Sequence, residues 1–182
     1  MKPKLVGRLF FLRVLGVGWL FFLSCADGQN IMAPDQGSIY FNSFESPADT
    51  VGWRGHGSMN IANDAPQSGG KQSLRVSGGC VVPHAEFVLP AQPDAGYYVL
   101  QFWGKDLAIG GGVSLTIDGL EDFQSIGMQV TQPQWRRYES SQSLFCPPNR
   151  RLKIRLMAGG IVASAMLVDQ IQIIKLNRQI IK

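Results

Sequence analysis

The sequence predicts an all-β protein built as an antiparallel β-sandwich, and three observations support this fold class. Short runs of alternating apolar and polar residues recur along the chain, and such alternation is typical of half-buried strands. Clusters of Pro, Gly, Asp and Asn separate these runs, as turns require. No stretch shows the periodicity of an amphipathic helix. Many short strands separated by turns are typical of sandwiches and barrels.

The predicted strands follow one another without a repeat, a linker or a second domain. We therefore expect a single β-sandwich domain over 38–177, which is long enough to bury a core. In chain order the predicted strands are SIYFNSFES (38–46), KQSLRVSGG (71–79), CVVPHAEFVLP (80–90), YYVLQFWGK (97–105), GVSLTIDG (112–119), SIGMQVT (125–131), WRRYESSQSLF (135–145), RRLKIRLMAGG (150–160) and AMLVDQIQIIKL (165–176).

Alternation also predicts which face of each strand forms the core. The predicted core side chains are Tyr98, Leu100, Phe102, Val113, Leu115, Ile117, Leu152, Ile154 and Leu156. The opposite face of YYVLQFWGK is mixed polar and aromatic, with Tyr97, Val99, Gln101, Trp103 and Lys105. Such a mixed face is where a ligand could bind.

The first 24 residues are expected to be a secretory signal peptide. Four bases precede an uncharged, mostly apolar run over 14–24, which is shorter than the roughly 20 residues of a spanning helix. The segment FLSC ends at Cys25 and resembles the lipobox of bacterial lipoproteins, in which a cysteine after a small residue is lipidated. The resemblance implies a lipid on Cys25 and a polar tether over 25–37. The alternative is an ordinary signal peptide with an incidental cysteine.

The charge balance of the mature chain is neutral. Four of the 17 Lys and Arg residues and none of the 13 Asp and Glu residues lie in the signal segment, which leaves 13 of each sign. The basicity of the whole chain therefore belongs to the export signal. We expect neither nucleic acid nor an anionic membrane surface as a partner of the domain.

Two cysteines, Cys80 and Cys146, remain after Cys25. In an oxidising compartment they could pair, and closing a loop of this length would contribute about 4 kcal/mol on the chain-entropy estimate. The alternative is two separate buried thiols, and the sequence leaves both open.

The segment GGKQS (69–73) looks like the end of a phosphate-binding loop, but it departs from that motif. Ala65 stands where the first glycine is needed, and Gln72 stands where Ser or Thr should follow the lysine. Strand alternation continues after Lys71, so no helix N-terminus faces a phosphate. We therefore expect no nucleotide.

Catalytic patterns are also weak. The sequence has no G-x-S-x-G elbow, and its two histidines, His56 and His84, lie on different segments. A glycosidase needs two carboxylates on either side of the scissile bond. Glu121 and Asp122 are adjacent in a predicted turn and do not suit that geometry. We expect a binding protein and not an enzyme.

Several short motifs follow one another over roughly 38–176: FNSFES, VGWRG, SGGKQSLRVSG, YYVLQFWGKDL, QWRRYE and MLVDQIQIIKL. Their order resembles the jelly-roll carbohydrate-binding modules of the cellulose-, xylan- and β-glucan-binding type, which belong to the galactose-binding-like β-sandwiches. The resemblance implies a jelly roll that binds polysaccharide without catalysis.

The same resemblance implies a structural calcium where the first strand, the glycine turn and the last strand meet. The matching positions are Glu45, the backbone around Gly70 and Lys71, and Asp169. Calcium takes several hard oxygen ligands, including carboxylates and carbonyls. The alternative is that the two acids only accept hydrogen bonds from the turn.

Exposed aromatics stack on the flat faces of sugar rings, so we expect a binding platform of Trp53 and Trp103, with Gln101 and Lys105 as polar partners. The alternative is that both tryptophans pack the fold. We assign Trp135 a structural role. The first hypothesis is a glycan-binding lipoprotein of the bacterial outer membrane or cell surface. The second is a structural or protein-interaction lipoprotein of the envelope whose jelly roll has no sugar site.

Overall fold

The computed structural model describes residues 37–55, 58–78, 84–122, 124–159 and 163–177. The signal segment, Cys25, His56 and Cys80 lie outside these ranges. The described elements are a short 3₁₀ helix, Pro47–Thr50, and the strands β1 (Ser38–Asn42), β2 (Arg54–Gly55), β3 (Ser58–Ala62), β4 (Ser73–Ser77), β5 (His84–Gln92), β6 (Gly96–Ala108), β7 (Gly111–Ile117), β8 (Ser125–Val130), β9 (Arg136–Glu139), β10 (Leu144–Cys146), β11 (Arg150–Ala158) and β12 (Ala165–Leu176).

The strands form two antiparallel sheets that pack face to face, as the sequence predicts. In the seven-stranded sheet β6 and β12 pair with each other at the centre. The other edge of β6 pairs with β9 and β10. The other edge of β12 pairs with β1 and β4, and β3 pairs with β4. The five-stranded sheet has the order β2-β5-β11-β7-β8. Within the described ranges, no helix is long and apolar enough to cross a membrane.

The core lies between the two sheets and contains the side chains that alternation predicts. The nine predicted core residues on β6, β7 and β11 are each at most 1% exposed. Phe102 also stacks on Tyr138 of β9, with ring centroids 5.1 Å apart. Burying one such side chain contributes about 1.5–3 kcal/mol, so this interface supplies most of the driving force for folding.

Two differences between the predicted and observed strands have a clear cause in the structure. The first predicted strand ends at Asn42, because the Asn42 side chain accepts a hydrogen bond from the Phe44 amide at 2.9 Å and Phe44 takes a positive φ of 52°. The segment 135–145 divides into β9 and β10 around Ser140, whose hydroxyl accepts a hydrogen bond from the Leu100 amide at 3.1 Å. Alternation did not reveal β2 and β3, which are the outermost strands of their sheets.

Cys146 is a free, buried thiol in this structure, at the end of β10. Its sulfur lies 3.5 Å from the carbonyl oxygen of Pro147. Burial raises the pKa of the thiol, so the neutral form is favoured. The expected partner, Cys80, lies outside the described residues, so the pairing of the two cysteines stays a prediction.

Charged side chains form a network on the outer side of the five-stranded sheet. The Lys153 ammonium bonds Glu121 and lies 2.8 Å from Asp118, which also pairs with Arg151 at 2.6 Å. The Lys153 hydrogen bond is the main cause that lowers the pKa of Glu121 to about 2. Burial tends to lower the pKa of Lys153, but its bonds to the two acids outweigh this and raise it.

This network predicts an acid-dependent contribution to stability. The pKa of Glu121 falls from 4.5 to about 2 on folding, so its ionised form stabilises the fold above pH 4.5 and the effect disappears as the pH falls toward 2. We expect Glu121→Gln to lower the free energy of unfolding at pH 7 and to match the unsubstituted chain near pH 2. Urea denaturation as a function of pH measures this difference.

Asp122→Asn is the matched control, because this neighbouring carboxylate is exposed. The difference in the free energy of unfolding between Asp122→Asn and the unsubstituted chain should not show the change between pH 5 and pH 2 that we expect for Glu121→Gln. A constant difference between Glu121→Gln and the unsubstituted chain across this range would contradict the assignment.

Candidate functional site

The outer face of the seven-stranded sheet carries the mixed polar and aromatic row predicted on β6. The β6–β12 register sets Trp103 opposite Asp169, Gln101 opposite Gln172, Val99 opposite Ile174 and Tyr97 opposite Leu176. One extra residue on β12 lies between Asp169 and Gln172, where Gln170 takes a φ of 47°. β12 is buried on both sides of this bulge and becomes partly exposed from Ile174 onward.

The loop 63–72 closes one end of this face. The Asp64 carboxylate accepts hydrogen bonds from Lys105 Nζ at 2.7 Å and from Trp135 Nε1 at 2.8 Å. Further along the loop, the Ser68 carbonyl accepts a hydrogen bond from Gln170 Nε2 at 2.5 Å. Partial burial tends to raise the pKa of Asp64, but the bonds from Lys105 and Trp135 outweigh it and hold the pKa below its usual value.

These contacts change the expected role of Lys105. Its ammonium is neutralised by Asp64, and only a quarter of the side chain is exposed. Lys105 therefore fastens the loop, and the structure does not support the expectation that it contacts a ligand. Trp135 fastens the same loop, which agrees with the structural role expected for it.

Trp103 lies at the centre of the part that stays open. Its half-buried side chain borders a small cleft with planar and aromatic neighbours: Phe41, Gln101, Arg137, Gln170 and Gln172. Arg137 Nη2 donates to Gln101 Oε1 at 2.7 Å, which fixes the orientation of the amide. Among the described residues, neither Trp103 Nε1 nor Gln172 Nε2 has a hydrogen-bond partner. Buried polar atoms are rarely left unpaired, so this cleft has unused capacity for hydrogen bonds.

Trp53 does not belong to this face, which corrects the expected two-tryptophan platform. It is 7% exposed and packs between Phe44 and Phe87, with ring centroids 5.7 and 5.5 Å away. The glycine-rich surroundings of Trp53 suggested an exposed loop, but the apolar ring is stabilised by burial beside other aromatics. The alternative that Trp53 packs the fold is the one that the structure supports.

Sequence reasoning missed three side chains of the open face. Arg137 and Gln172 lie in strands whose alternation was visible, and their positions relative to Tyr138 and Ile173 place them on the outer face. Phe41 is brought to the cleft by the pairing of β1 with β12, in which it lies opposite Gln172. That pairing joins opposite ends of the domain, and no local pattern reveals it.

Glu45, the glycine turn and Asp169 meet as the resemblance implies. The Glu45 carboxylate accepts hydrogen bonds from the amides of Lys71 and Gln72 at 3.1–3.3 Å. It also lies so close to Gly70 that a β-carbon there would collide with it. In the same way, a β-carbon at Gly69 would collide with Asp169 Oδ2. The two carboxylates therefore lie against consecutive residues of one turn.

Asp169 is fully buried, and its Oδ2 has no hydrogen-bond partner among the described residues. Its Oδ1 accepts one bond, from the Gln170 amide at 2.7 Å. Burial raises the pKa of Asp169 to about 8, the Gln170 amide opposes this, and the nearby charge of Glu45 adds to it. No group of three or more His, Cys, Asp or Glu side chains within the described chain could hold a metal, so any cation here would need carbonyl ligands from the turn as well.

The geometry also explains the phosphate-loop-like segment. The amides of Lys71 and Gln72, which would face a phosphate, bind Glu45 instead. The chain then enters β4 at Ser73, as alternation predicts. The glycines allow two carboxylates to approach the turn, and Gly70 also supplies a φ of 85° that side chains rarely adopt.

Comparison with solved structures identifies the architecture. The chain is 19% identical to the CBM22-1 xylan-binding domain from Paenibacillus barcinonensis Xyn10C, with a TM-score of 0.55, over 80% of this chain and 99% of that one. It is 15% identical to the C-terminal family 22 carbohydrate-binding module of Clostridium thermocellum Xyn10B, with a TM-score of 0.55, over 82% of this chain and 100% of that one.

The fold is a carbohydrate-binding-module jelly roll. The same fold recurs inside larger proteins, such as the enzymatically active domain of bacteriophage CBA120 tailspike protein 4, at 16% identity and a TM-score of 0.54 over 69% of this chain. The jelly roll spans only 20% of that tailspike chain. No protein-family model and no curated protein sequence matches the chain. The predicted jelly roll is thus confirmed, while identities this low show the fold alone.

The close approach of Glu45 to the glycine turn can be tested by comparing Gly70→Ala with a matched control, Gly119→Ala. Gly70 and Gly119 have nearly equal φ values of 85° and 82°, but a β-carbon at Gly119 would meet nothing within 4 Å. Alanine at either position incurs about 1–3 kcal/mol of backbone strain. Because Gly70→Ala also displaces the Glu45 carboxylate, we expect it to lose about 1–2 kcal/mol more than Gly119→Ala in urea denaturation. Equal losses would show that Glu45 does not depend on this close approach.

Proposed function

We propose that this protein binds polysaccharide without catalysis, through the open outer face of its seven-stranded sheet. The observation that carries the proposal is the half-buried Trp103, whose ring borders a cleft with the amides of Gln101 and Gln172 and the guanidinium of Arg137. An aromatic ring offers a stacking surface for the apolar face of a sugar, and planar polar groups bind hydroxyls in fixed directions. Trp103 Nε1 and Gln172 Nε2, two buried donors beside this cleft, have no hydrogen-bond partner among the described residues.

The similar structures support this choice of ligand class. One of the two modules that match over nearly their full length is described as a xylan-binding domain, and the other by the role of its cleft in ligand binding. Both are binding modules and not the catalytic parts of their enzymes. This chain shares their fold at low identity, so the proposal rests first on the chemistry of its own face.

Binding without hydrolysis is supported by the positions of the acids. Asp118 and Glu121, at the end of β7 and in the turn that follows, are engaged with Lys153 on the five-stranded sheet. On the open face Glu139 is exposed, whereas Asp169 is buried under the loop 63–72. The two carboxylates of a glycosidase must both reach the scissile bond, and a fully buried Asp169 does not.

The central test is Trp103→Ala. Affinity electrophoresis in gels that contain soluble β-1,4-xylan or mixed-linkage β-glucan should retard the unsubstituted protein. Removing a central aromatic contact typically costs about 2 kcal/mol or more, so the variant should bind at least about tenfold more weakly.

Met157→Ala is the matched control, because Met157 is 37% exposed and belongs to the five-stranded sheet. It should migrate like the unsubstituted protein. Equal retardation of Trp103→Ala and the unsubstituted protein would contradict the site. If no glycan bound and an envelope protein co-purified instead, the protein would be an interaction module with a jelly roll and no sugar site.

We also propose that Glu45, Asp169 and carbonyls of the turn at Gly70 and Lys71 hold one structural calcium. The donor set fits, because two carboxylates lie against one turn and Asp169 Oδ2 has no other partner among the described residues. Phe44 and Gln170, which adjoin the two acids, both have positive φ. A cation would supply the attraction that holds these strained segments together.

Calcium should raise the melting temperature by several degrees over the same protein in a chelator, because a ligand bound only to the folded state stabilises it. Magnesium should have less effect, since it prefers a rigid octahedral shell. Asp169→Asn should remove the calcium-dependent difference, whatever its effect on the melting temperature without metal. A melting temperature that is the same in calcium and in chelator would reject the site.

Export and membrane attachment complete the proposal. The basic start, the short apolar run and the FLSC segment support a lipid on Cys25, with the jelly roll displayed at the outer membrane or cell surface. A lipid anchor of this kind would hold a glycan-binding face close to envelope or extracellular polysaccharide.

A further inference from the structure

A hollow of about 750 Å³ lies on the five-stranded sheet, on the other side of the sandwich from the Trp103 cleft. Its walls come from the segment around β2, from β5, from β11 and from the turn after β7. It shares no lining residue with the Trp103 cleft. Sites for small molecules have volumes of roughly 300–1,000 Å³, so the hollow has the size of such a site.

The hollow is formed where β5 is irregular and β2 is short. Leu89 and Pro90 together lie opposite one residue of β11, which is a β-bulge. Proline suits this place, since a bulged residue makes no ladder hydrogen bond. β2 pairs with only two residues of β5, and beyond Glu86 this edge of β5 has no neighbouring strand in the described chain. Val88 and Pro90 therefore stay exposed and give the hollow an apolar floor.

Cations outnumber carboxylates around the hollow. Arg54, Arg151 and Lys153 line it together with Glu86 and Asp118. Asp118 pairs with both Arg151, at 2.6 Å, and Lys153, at 2.8 Å. The Arg151 side chain is nevertheless 59% exposed. A guanidinium has five N–H donors, and one carboxylate does not use all of them, so Arg151 can bind a second group.

Arg54 carries the excess positive charge at the rim of the hollow. It lies directly opposite Glu86 in the β2–β5 pairing, but Glu86 pairs with Arg155 at 2.9 Å. Among the described residues, no ion pair joins Arg54 to a carboxylate, and its side chain is exposed. Arg54 can therefore bind an anionic group without first breaking an ion pair, which lowers the free-energy cost of binding.

The mixture of charges around the hollow indicates the chemistry of its ligand. A guanidinium binds a carboxylate through two parallel hydrogen bonds, which suits Arg54 and Arg151. Glu86 and Asp118 can accept hydrogen bonds from hydroxyl groups, but they repel a second negative charge. The exposed apolar side chains of β5 fit the C–H face of a ring. A ring with one carboxylate and several hydroxyls meets all three conditions, whereas a polyanion or a purely apolar ligand does not.

We propose that this hollow is a second binding site, which takes a uronic acid residue of an acidic glycan. Arg54 and Arg151 bind the carboxylate, Glu86 and Asp118 accept hydrogen bonds from the hydroxyls, and the apolar floor contacts the ring. The site goes beyond the proposed function, because it lies on the other sheet and uses none of the contacts of Trp103. It gives the same domain a contact with acidic sugars.

An NMR titration of the protein with methyl β-D-glucuronide tests this site, and methyl β-D-glucoside is the matched probe without the carboxylate. The glucuronide should bind at least about fivefold more tightly than the glucoside, and Arg54→Gln should weaken glucuronide binding about tenfold, the effect expected of losing a charge-assisted hydrogen bond. Arg150→Gln is the control, because this exposed arginine of β11 does not line the hollow. It should bind the glucuronide like the unsubstituted protein.

Three results would overturn the second site. If Arg54→Gln binds the glucuronide as well as Arg150→Gln does, or if the glucoside binds equally well, the hollow does not recognise a carboxylate. If Trp103→Ala loses the glucuronide while Arg54→Gln keeps it, acidic sugars bind to the open face instead. If a tetra-aspartate peptide binds more tightly than tetragalacturonate, the occupant is an acidic peptide. The gels with xylan and β-glucan test the proposed function separately, so that function stands whichever of these results is found.

Discussion

The antiparallel pairing of β6 with β12 is the constraint on which the candidate site and the glycine-turn cluster both depend. These are the longest described strands, of 13 and 12 residues, and every other strand of their sheet is attached to one of them or to a neighbour. Their register sets Trp103 opposite Asp169 and Gln101 opposite Gln172. One extra residue, Gln170, lies between the two pairs. It lets Asp169 meet the glycine turn while Gln172 stays beside the open cleft.

Polar groups are paired to different extents on the two sheets. On the five-stranded sheet, Lys153 is paired with more than one carboxylate, and the shifts in pKa of Lys153 and Glu121 both favour the charged forms. On the side of the seven-stranded sheet that carries the cleft and the turn, several buried polar atoms have no partner among the described residues: Ser68 Oγ, Gln72 Oε1, Trp103 Nε1, Asp169 Oδ2, Gln170 Oε1 and Gln172 Nε2. Folded chains usually satisfy such atoms, and a concentration of exceptions in one region is typical of a binding site.

Much of the fold could be predicted from local patterns, because the alternation of side chains along a strand depends only on backbone geometry. The core faces of β6, β7 and β11, the start of β4 after the glycine turn and the mixed outer row of β6 all follow from it. The order of short motifs added the jelly-roll class and the meeting of Glu45, the turn and Asp169. Alternation reports a face but not what covers it, so it does not show that Asp64 engages Lys105. The glycine-rich segment around Trp53 likewise does not show that Phe44 and Phe87 pack against its ring.

Local sequence patterns therefore identify the regions of all described strands except β2 and β3, the core faces of β6, β7 and β11, and the class of fold. Which part of the outer face stays open depends on long-range contacts. The loop 63–72 fastens on Lys105 and Trp135, the first strand brings Phe41 to the cleft, and β10 sets Phe145 beside Tyr97. These contacts join segments far apart in the chain, and their stability comes from long-range pairing and packing. No short window of sequence contains both partners, so local periodicity does not reveal them.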